Sequence, residues 1–244
     1  MRVAILGATR GMGRAVARRY AERGAAVAVL GRDPAALARA AQDLDVRGAR
    51  AVAAVVLDLA DVDGHGRALD EAAEKLGGLD VVVVTAASFG TQAELEADRA
   101  RLVALLQLDF VATIALCEEA RVRLLAGGGG TLVVFTSVAG DRGRKTVGLY
   151  GAAKAGLGHY LEALDAGYRA AGLVTIDVRP GFIHTDMTAG LPVPPFAGTP
   201  DEVAARVLDA VDRRRPRVYA PGIWALVMLV IRWLPRFVLR RVGF

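Results

Sequence analysis

The sequence predicts an α/β chain: a single Rossmann-type domain, a doubly wound parallel sheet with helices on both faces. Three observations lead there. Short runs of Val, Ile and Leu alternate with longer helical stretches, and strands buried on both faces are near-continuously apolar. A glycine-rich turn, Gly7-Ala8-Thr9-Arg10-Gly11-Met12-Gly13, joins the first apolar run to the first helical stretch. The 244 residues are 54% hydrophobic, enough to fill one large core, and no repeat or linker divides them.

The expected strands are Arg2–Leu6, Ala26–Leu30, Ala51–Val56, Asp80–Thr85, Thr131–Thr136 and Val174–Arg179. Helical patterns fill the intervals at Gly13–Arg23, Pro34–Val46, Arg67–Leu76, Arg101–Leu125 and Leu149–Ala171. Such alternation implies crossover units and a parallel sheet. Gly127–Gly130 marks the end of a helix and its turn into a strand. The segment Gly190–Pro200, with four prolines and two glycines, reads as a loop with limited helix, of the kind that covers a cleft. Residues 1–221 are expected to form the dinucleotide-binding catalytic domain, and 222–244 an apolar, Arg-rich C-terminal extension.

In the glycine turn, Gly7, Gly11 and Gly13 let backbone pass close to a pyrophosphate. Thr9, Arg10 and Met12 lie between them, and the helix N-terminus offers free N–H groups to the charge. The spacing is G-x-x-x-G-x-G. The second strand ends Leu30-Gly31-Arg32-Asp33, and Gly31 stands where NAD-specific sites place an acid on the ribose 2′-hydroxyl. Arg32 and Arg10 are suited to a 2′-phosphate through charge-assisted hydrogen bonds, which makes NADP(H) the expected cofactor. The bland reading makes both arginines solvated surface residues. Asp33 either faces the cofactor or caps the helix that begins at Pro34. Asp58-Leu59, after the third strand, either meets the adenine or caps the next segment.

Tyr150-Gly-Ala-Ala-Lys154 places a phenol and an ammonium one helical turn apart on one face. A phenol with a pKa near 10 is a poor proton shuttle at neutral pH. A cation held beside it favours the phenolate. Ser137 ends the strand Thr131-Leu-Val-Val-Phe-Thr-Ser137, where ligands bind in open α/β sheets; there its hydroxyl can polarise a carbonyl. For a lone serine the alternative is a turn cap.

With these residues in order the chain resembles the short-chain dehydrogenase/reductase family, from Met1 to about Met187. That resemblance implies a reaction at a carbonyl or secondary alcohol carbon. Tyr150 would be the proton donor, Lys154 would lower its pKa and bind ribose hydroxyls, and Ser137 would orient the substrate. Ala86 would flank the cofactor. The segment Arg179-Pro180-Gly181-Phe182-Ile183-His184-Thr185-Asp186-Met187 resembles the family's stretch in which backbone and a threonine hold the nicotinamide carboxamide. Two departures stand out. The family's Asn-Asn-Ala-Gly reads Val84-Thr85-Ala86-Ala87 here, and its tetrad asparagine reads Asp109. Asp109 can hold a relay water and pair with Lys154, or over-stabilise the lysine and raise the tyrosine pKa. The latter leads to a second reading, a catalytically impaired nucleotide-binding sensor or scaffold.

From Arg213 onward there are eight arginines and no acids, so this tail carries +8 of a net +5 and the remainder sums to −3. No basic reading element for nucleic acid accompanies it. Trp224 and Trp233 flank apolar residues there, with arginines following. That pattern suits peripheral contact with a membrane surface, or a helix packed on the subunit or a dimer partner. The tail and the run Thr136-Ser137-Val-Ala-Gly-Asp-Arg-Gly-Arg-Lys145 resemble the keto-pentose reductases acting on decaprenylphosphoryl sugars. That likeness implies a hydrophobic or lipid-linked ketone, with Arg142, Arg144 and Lys145 facing a phosphate or, alternatively, forming a solvated loop. The apolar stretch Gly222–Ile231 is too short to span a bilayer. No signal peptide and no metal site are expected. One cysteine, Cys117, reads as packing and fits a reducing, cytoplasmic setting, and the tail extends that expectation to the inner face of the membrane. The resemblance implies a homodimer or homotetramer.

Overall fold

A computed structural model of the chain describes residues 1–241. Its seven strands form one parallel sheet in the order β3-β2-β1-β4-β5-β6-β7. These are β1 (Arg2–Leu6), β2 (Ala26–Gly31), β3 (Ala51–Val56), β4 (Val81–Val84), β5 (Gly130–Phe135), β6 (Leu173–Pro180) and β7 (Arg217–Ala220). Chain order reverses between β1 and β4, which pair from Val3↔Val81 to Leu6↔Val84. The carboxyl ends of those two strands are therefore the switch-point crevice of a doubly wound sheet.

Strand side chains alternate between two cores. Val3 and Ile5 of β1 face one core with helices α1 (Gly11–Glu22), α2 (Pro34–Val46) and α8 (Pro200–Asp212). Ala4 and Leu6 face the other, with α3 (His65–Leu76), α6 (Thr113–Ala126) and α7 (Gly148–Tyr168). Helices on both faces explain why the strands carry Val and Ala on every position rather than on alternate ones.

All six strands expected from the sequence are present within a residue or two. β7, one of the two edge strands, has no apolar run to announce it: it reads Arg-Val-Tyr-Ala and takes its register from β6, Asp177↔Arg217 to Pro180↔Ala220. Helix α8 begins where the Pro-rich segment ends. Thr199 and Glu202 form a capping box with Pro200 at the first turn, a start signal legible in the sequence. Asp33 caps α2, accepting from Ala35 N at 2.9 Å and Ala36 N at 3.2 Å.

The expected helix Arg101–Leu125 is a continuous run made of α5 (Arg99–Leu106), a π-helical turn (Gln107–Ala112) and α6. At 28 residues it is long and apolar enough to cross a membrane by composition. Leu116, Cys117, Ala120 and Leu124 are instead buried against the sheet, so it is a core helix here. A short helix, α4 (Gln92–Ala97), precedes it.

The tail folds as α9 (Ile223–Trp233) and α10 (Arg236–Arg241). One face of α9 packs inward: Trp224, Met228 and Ile231 cluster with Val138, beside Tyr219. The other face is open, with Leu226, Leu229, Val230, Trp233 and, on α10, Phe237 exposed. The expectation that the tail packs on the subunit's own core holds for this inward face. The last three residues, and with them the end of the extension, lie outside the described residues.

Candidate active site

The crevice at the switch point is a cleft of about 540 Å³. Its walls include Gly7, Thr9, Arg10, Gly11, Met12, Gly13, Arg32, Asp58, Leu59, Ala86 and Thr185, residues picked out in the sequence, together with Ser88 and Phe89, which were not. A Cβ on Gly13 would lie 2.3 Å from Gly7 O and 2.4 Å from Thr85 Oγ1. Only glycine lets α1 start this close to the ends of β1 and β4. Arg10, at the N-cap of α1, makes no side-chain cap, and the first turn carries no acid. The leading amides of α1 are thus left for an incoming anion. Thr85 Oγ1 donates to Leu6 O at 2.9 Å and ties β4 to β1 beneath them.

Arg10 and Arg32 are exposed, line the cleft, and form no ion pair among the described residues. Asp58 lines the cleft while its Oδ1 accepts from Ala60 N at 3.0 Å. It caps its own turn and keeps a second oxygen for a ligand. Pro180, Gly181 and Ile183 are not in the cleft wall. Ile183 is core, at 2% exposure, and Gly181 is covered by the tail. A Cβ on Gly181 would fall 2.1 Å from Trp224 Nε1, whose N–H donates to Phe196 O at 3.1 Å. The tail therefore buttresses the segment after β6 and the Pro-rich loop together.

Behind Ser88 and Phe89 lie Tyr150, Lys154 and Asp109. Phe89 meets the Tyr150 ring edge-on, with centroids 5.2 Å apart at 75°. Lys154 Nζ sits 5.6 Å from the Tyr150 ring centroid and 3.2 Å from Asp109 Oδ2. Lys154 and Asp109 are 2% and 0% exposed, so this is a fully desolvated ion pair. Asp109 Oδ1 also accepts from Ser88 N at 2.7 Å and from Ser88 Oγ at 3.0 Å. The π turn holds Asp109 here, its widened backbone letting Thr113 Oγ1 donate to Leu108 O at 2.9 Å.

Ser137 caps the turn Val138–Gly140, accepting from Ala139 N at 3.1 Å. That turn packs on the first turn of α7, where a Cβ on Gly151 would lie 2.6 Å from Ala139 O. Ser137 and the Tyr150 helix are brought together by this contact. The capping bond uses a lone pair of Ser137 and leaves its O–H free to donate.

Burial pushes the Tyr150 phenol above its ordinary value; the Lys154 charge opposes this, Asp109 adds to it, and Ser137 opposes it. For Lys154 burial acts downward, yet Tyr150 and Asp109 together hold its pKa above the ordinary value. The sequence offered no sign of Ser88 or Phe89 as partners, because neither belongs to a recognisable pattern. Nor did it single out Asp141, whose carboxylate meets Arg179 Nη1 and accepts from Tyr219 OH at 2.8 Å. Among the described residues no group of His, Cys, Asp or Glu is arranged to hold a metal ion.

Against known proteins, the short chain dehydrogenase family matches over residues 1–193. An uncharacterized oxidoreductase of Mycobacterium tuberculosis is 35% identical over 98% of this chain and 96% of its own. The cis-4-hydroxycyclohexanecarboxylate dehydrogenase of Sinomonas cyclohexanicum is 36% identical over 78% of this chain and 77% of its own. In fold, the chain resembles a short chain dehydrogenase from Mycobacterium paratuberculosis whose crystal structure is bound to NAD. The TM-score is 0.79 at 22% identity, covering 89% of this chain and 95% of that one.

Proposed function

This chain belongs to the short-chain dehydrogenase family, and we propose that it reduces a ketone, or oxidises the corresponding secondary alcohol, with NADP(H). The observation that carries this reading is the buried Tyr150–Lys154–Asp109 cluster set directly behind the wall of a dinucleotide-sized cleft. The residues fit the cofactor. Gly7, Thr9, Gly11, Met12 and Gly13 would take the pyrophosphate, Asp58, Leu59 and Ala86 the adenosine side, and Thr185 the nicotinamide side, with Pro180, Gly181 and Ile183 behind it holding that segment in place. When bound, the nicotinamide supplies or takes the hydride.

The rest falls to this chain. Ser137 donates its free O–H to the substrate oxygen and orients the carbonyl. Tyr150 gives its phenolic proton to that oxygen in reduction and recovers it in oxidation. Lys154 stabilises the phenolate so formed. Asp109 holds the lysine in place through its ion pair and, through Ser88, fixes the lysine's distance from the cleft wall. Phe89 keeps water off the ring edge of Tyr150.

Preference for NADP(H) rests on Arg10 and Arg32, two cations that line the cleft and form no ion pair among the described residues. Titrated into the purified protein and followed by nicotinamide fluorescence, NADPH should bind tightly and NADH weakly. Arg32→Ala should weaken NADPH by about ten- to a hundredfold, the worth of a charge-assisted hydrogen bond, and leave NADH unchanged. Binding of neither dinucleotide would end the oxidoreductase reading. Equal binding of both would end the NADP(H) preference.

The substrate reading is a hydrophobic ketone, with lipid-linked ketones included. The exposed side of the tail favours peripheral contact with a membrane surface, which would place the enzyme in the cytoplasm at the inner face. Leu229, Val230, Trp233 and Phe237 are 55%, 57%, 82% and 63% exposed, and Arg232 and Arg236 beside them would meet anionic headgroups. In flotation with phosphatidylglycerol vesicles the chain should rise with the lipid, and Leu229→Ser/Trp233→Ser/Phe237→Ser should not. A wild-type chain left at the bottom would remove this reading. A homo-oligomer, dimer or tetramer, remains the expected assembly. The competing reading is an impaired sensor or scaffold, and Asp109 is the residue that supports it.

A further inference from the structure

A second cavity, of about 300 Å³, opens between the loop that joins Ser137 to Tyr150 and the C-terminal helix α10. Five cations line it: Arg142, Arg144 and Lys145 from the loop, Arg236 and Arg240 from the tail. None of the five forms an ion pair with a carboxylate among the described residues. The neighbouring acid, Asp141, is taken by Arg179 and Tyr219. Two of the cations build the cavity. Arg142 Nη2 donates to Leu234 O at 3.1 Å and Lys145 Nζ to Arg240 O at 2.6 Å, answering carbonyls at the ends of the tail helices. Arg144 differs: its Nε is buried with no hydrogen-bond partner among the described residues.

Like charges gathered without acids repel one another, and a buried guanidinium N–H without an acceptor is costly. Burial also pulls the Arg144 guanidinium below its ordinary value, with Asp141 opposing. An oxyanion with several acceptor oxygens would relieve both, and guanidinium forks match a phosphate group. The cavity wall also carries Leu239, with exposed Phe237 nearby in sequence, so an apolar substituent on that phosphate would meet apolar surface.

We propose that this cavity binds a phosphate ester carrying an apolar group, with Arg144, Arg236 and Arg240 as its chief contacts. The ester belongs either to the substrate itself or to a lipid headgroup beside it. Because the loop runs straight from Ser137 to Tyr150, a phosphate held there would anchor a substrate whose ketone lies at those residues; this extension rests on the oxidoreductase reading, whereas the anion site does not.

The test is calorimetric titration of the full chain, with and without saturating NADP, using hexyl phosphate, hexanol and phosphatidylglycerol vesicles. Hexyl phosphate should bind and hexanol should not. Arg236→Ala/Arg240→Ala should weaken hexyl phosphate by at least about tenfold, and Arg144→Gln likewise. The control pair Arg213→Ala/Arg215→Ala, basic like the cavity pair but set against Asp209 away from the cavity and the tail helices, should change it little. If only vesicles bind, and lose affinity in the cavity pair but not in the control pair, the ester is a headgroup. Equal losses in both pairs, or no loss in the cavity pair, would overturn the site. The readout needs no turnover, so a chain that binds hexyl phosphate but no dinucleotide keeps the anion site and loses the enzyme.

Discussion

Tyr150→Phe is expected to lower ketone reduction by about 10²- to 10⁴-fold, the range for losing a positioned general acid, while NADPH binding stays unchanged. The substitution removes one oxygen and leaves the ring that packs edge-on against Phe89. Folding should survive it, since the phenol is not a hydrogen-bond anchor for any secondary-structure element. Lys154→Met, in contrast, should reduce turnover and also strand Asp109, a buried carboxylate whose partner is that ammonium. The two variants thus differ in thermal stability as well as rate. The substrate would be the ketone picked out by a screen of cyclic and long-chain ketones with NADPH. A Tyr150→Phe rate within about tenfold of the parent would remove Tyr150 from the proton-transfer step, because a general acid contributes more than that.

The parts of this arrangement that are local in sequence were legible there. The strand–helix alternation, the glycine turn at Gly7–Gly13 and the one-turn spacing of Tyr150 and Lys154 each need only a few consecutive residues. The partners of Asp109 were not legible. Its bonds to Ser88 span 21 residues, and its side chain reaches them only because the helix widens by a π turn, for which no residue pattern exists. The Asp141–Arg179–Tyr219 cluster was hidden for the same reason: it joins the turn after β5 to the ends of β6 and β7, residues up to 78 apart.

The tail shows a different limit. Trp224 and Trp233 look alike in the sequence, nine residues apart in one apolar run. The structure buries the first to 9% and leaves the second 82% exposed. The choice was made by Gly181, whose missing side chain opens the space that the Trp224 indole fills. No rule of helical period contains that information, since it lies on a different strand end. Edge strand β7 is similar, because its β character comes from pairing with β6 and not from its own residues.

Asp109→Asn is expected to move the rising limb of the pH profile for alcohol oxidation toward acid by about one pH unit. In oxidation Tyr150 must be a phenolate to accept the proton, so rate rises with pH through its pKa. Burial holds that pKa above the ordinary value of 10.0, and Asp109 adds to the rise. Asparagine removes the charge and so lowers the tyrosine pKa. It also removes one of the two influences that hold Lys154 above 10.5, but a lysine still cationic at neutral pH continues to favour the phenolate. On the rising limb a one-unit shift means about a tenfold faster oxidation at fixed pH. Both pKa values are raised in the folded chain, so the cluster's contribution to stability is complete at neutral pH and is lost only as pH climbs past about 10. Asparagine also leaves Lys154 without its counter-charge, but it keeps an oxygen for Ser88 N and a dipole for the ammonium, so it should cost less thermal stability than alanine. Asp109→Ala orphans the Ser88 amide and leaves Lys154 buried without a counter-charge, for which about 3–5 kcal/mol is the usual loss. A gain far beyond tenfold in the asparagine variant would mean that Asp109 disables the native site, as the sensor reading requires. An unmoved limb would mean that the tyrosine does not feel the carboxylate, and that the ion pair serves packing alone.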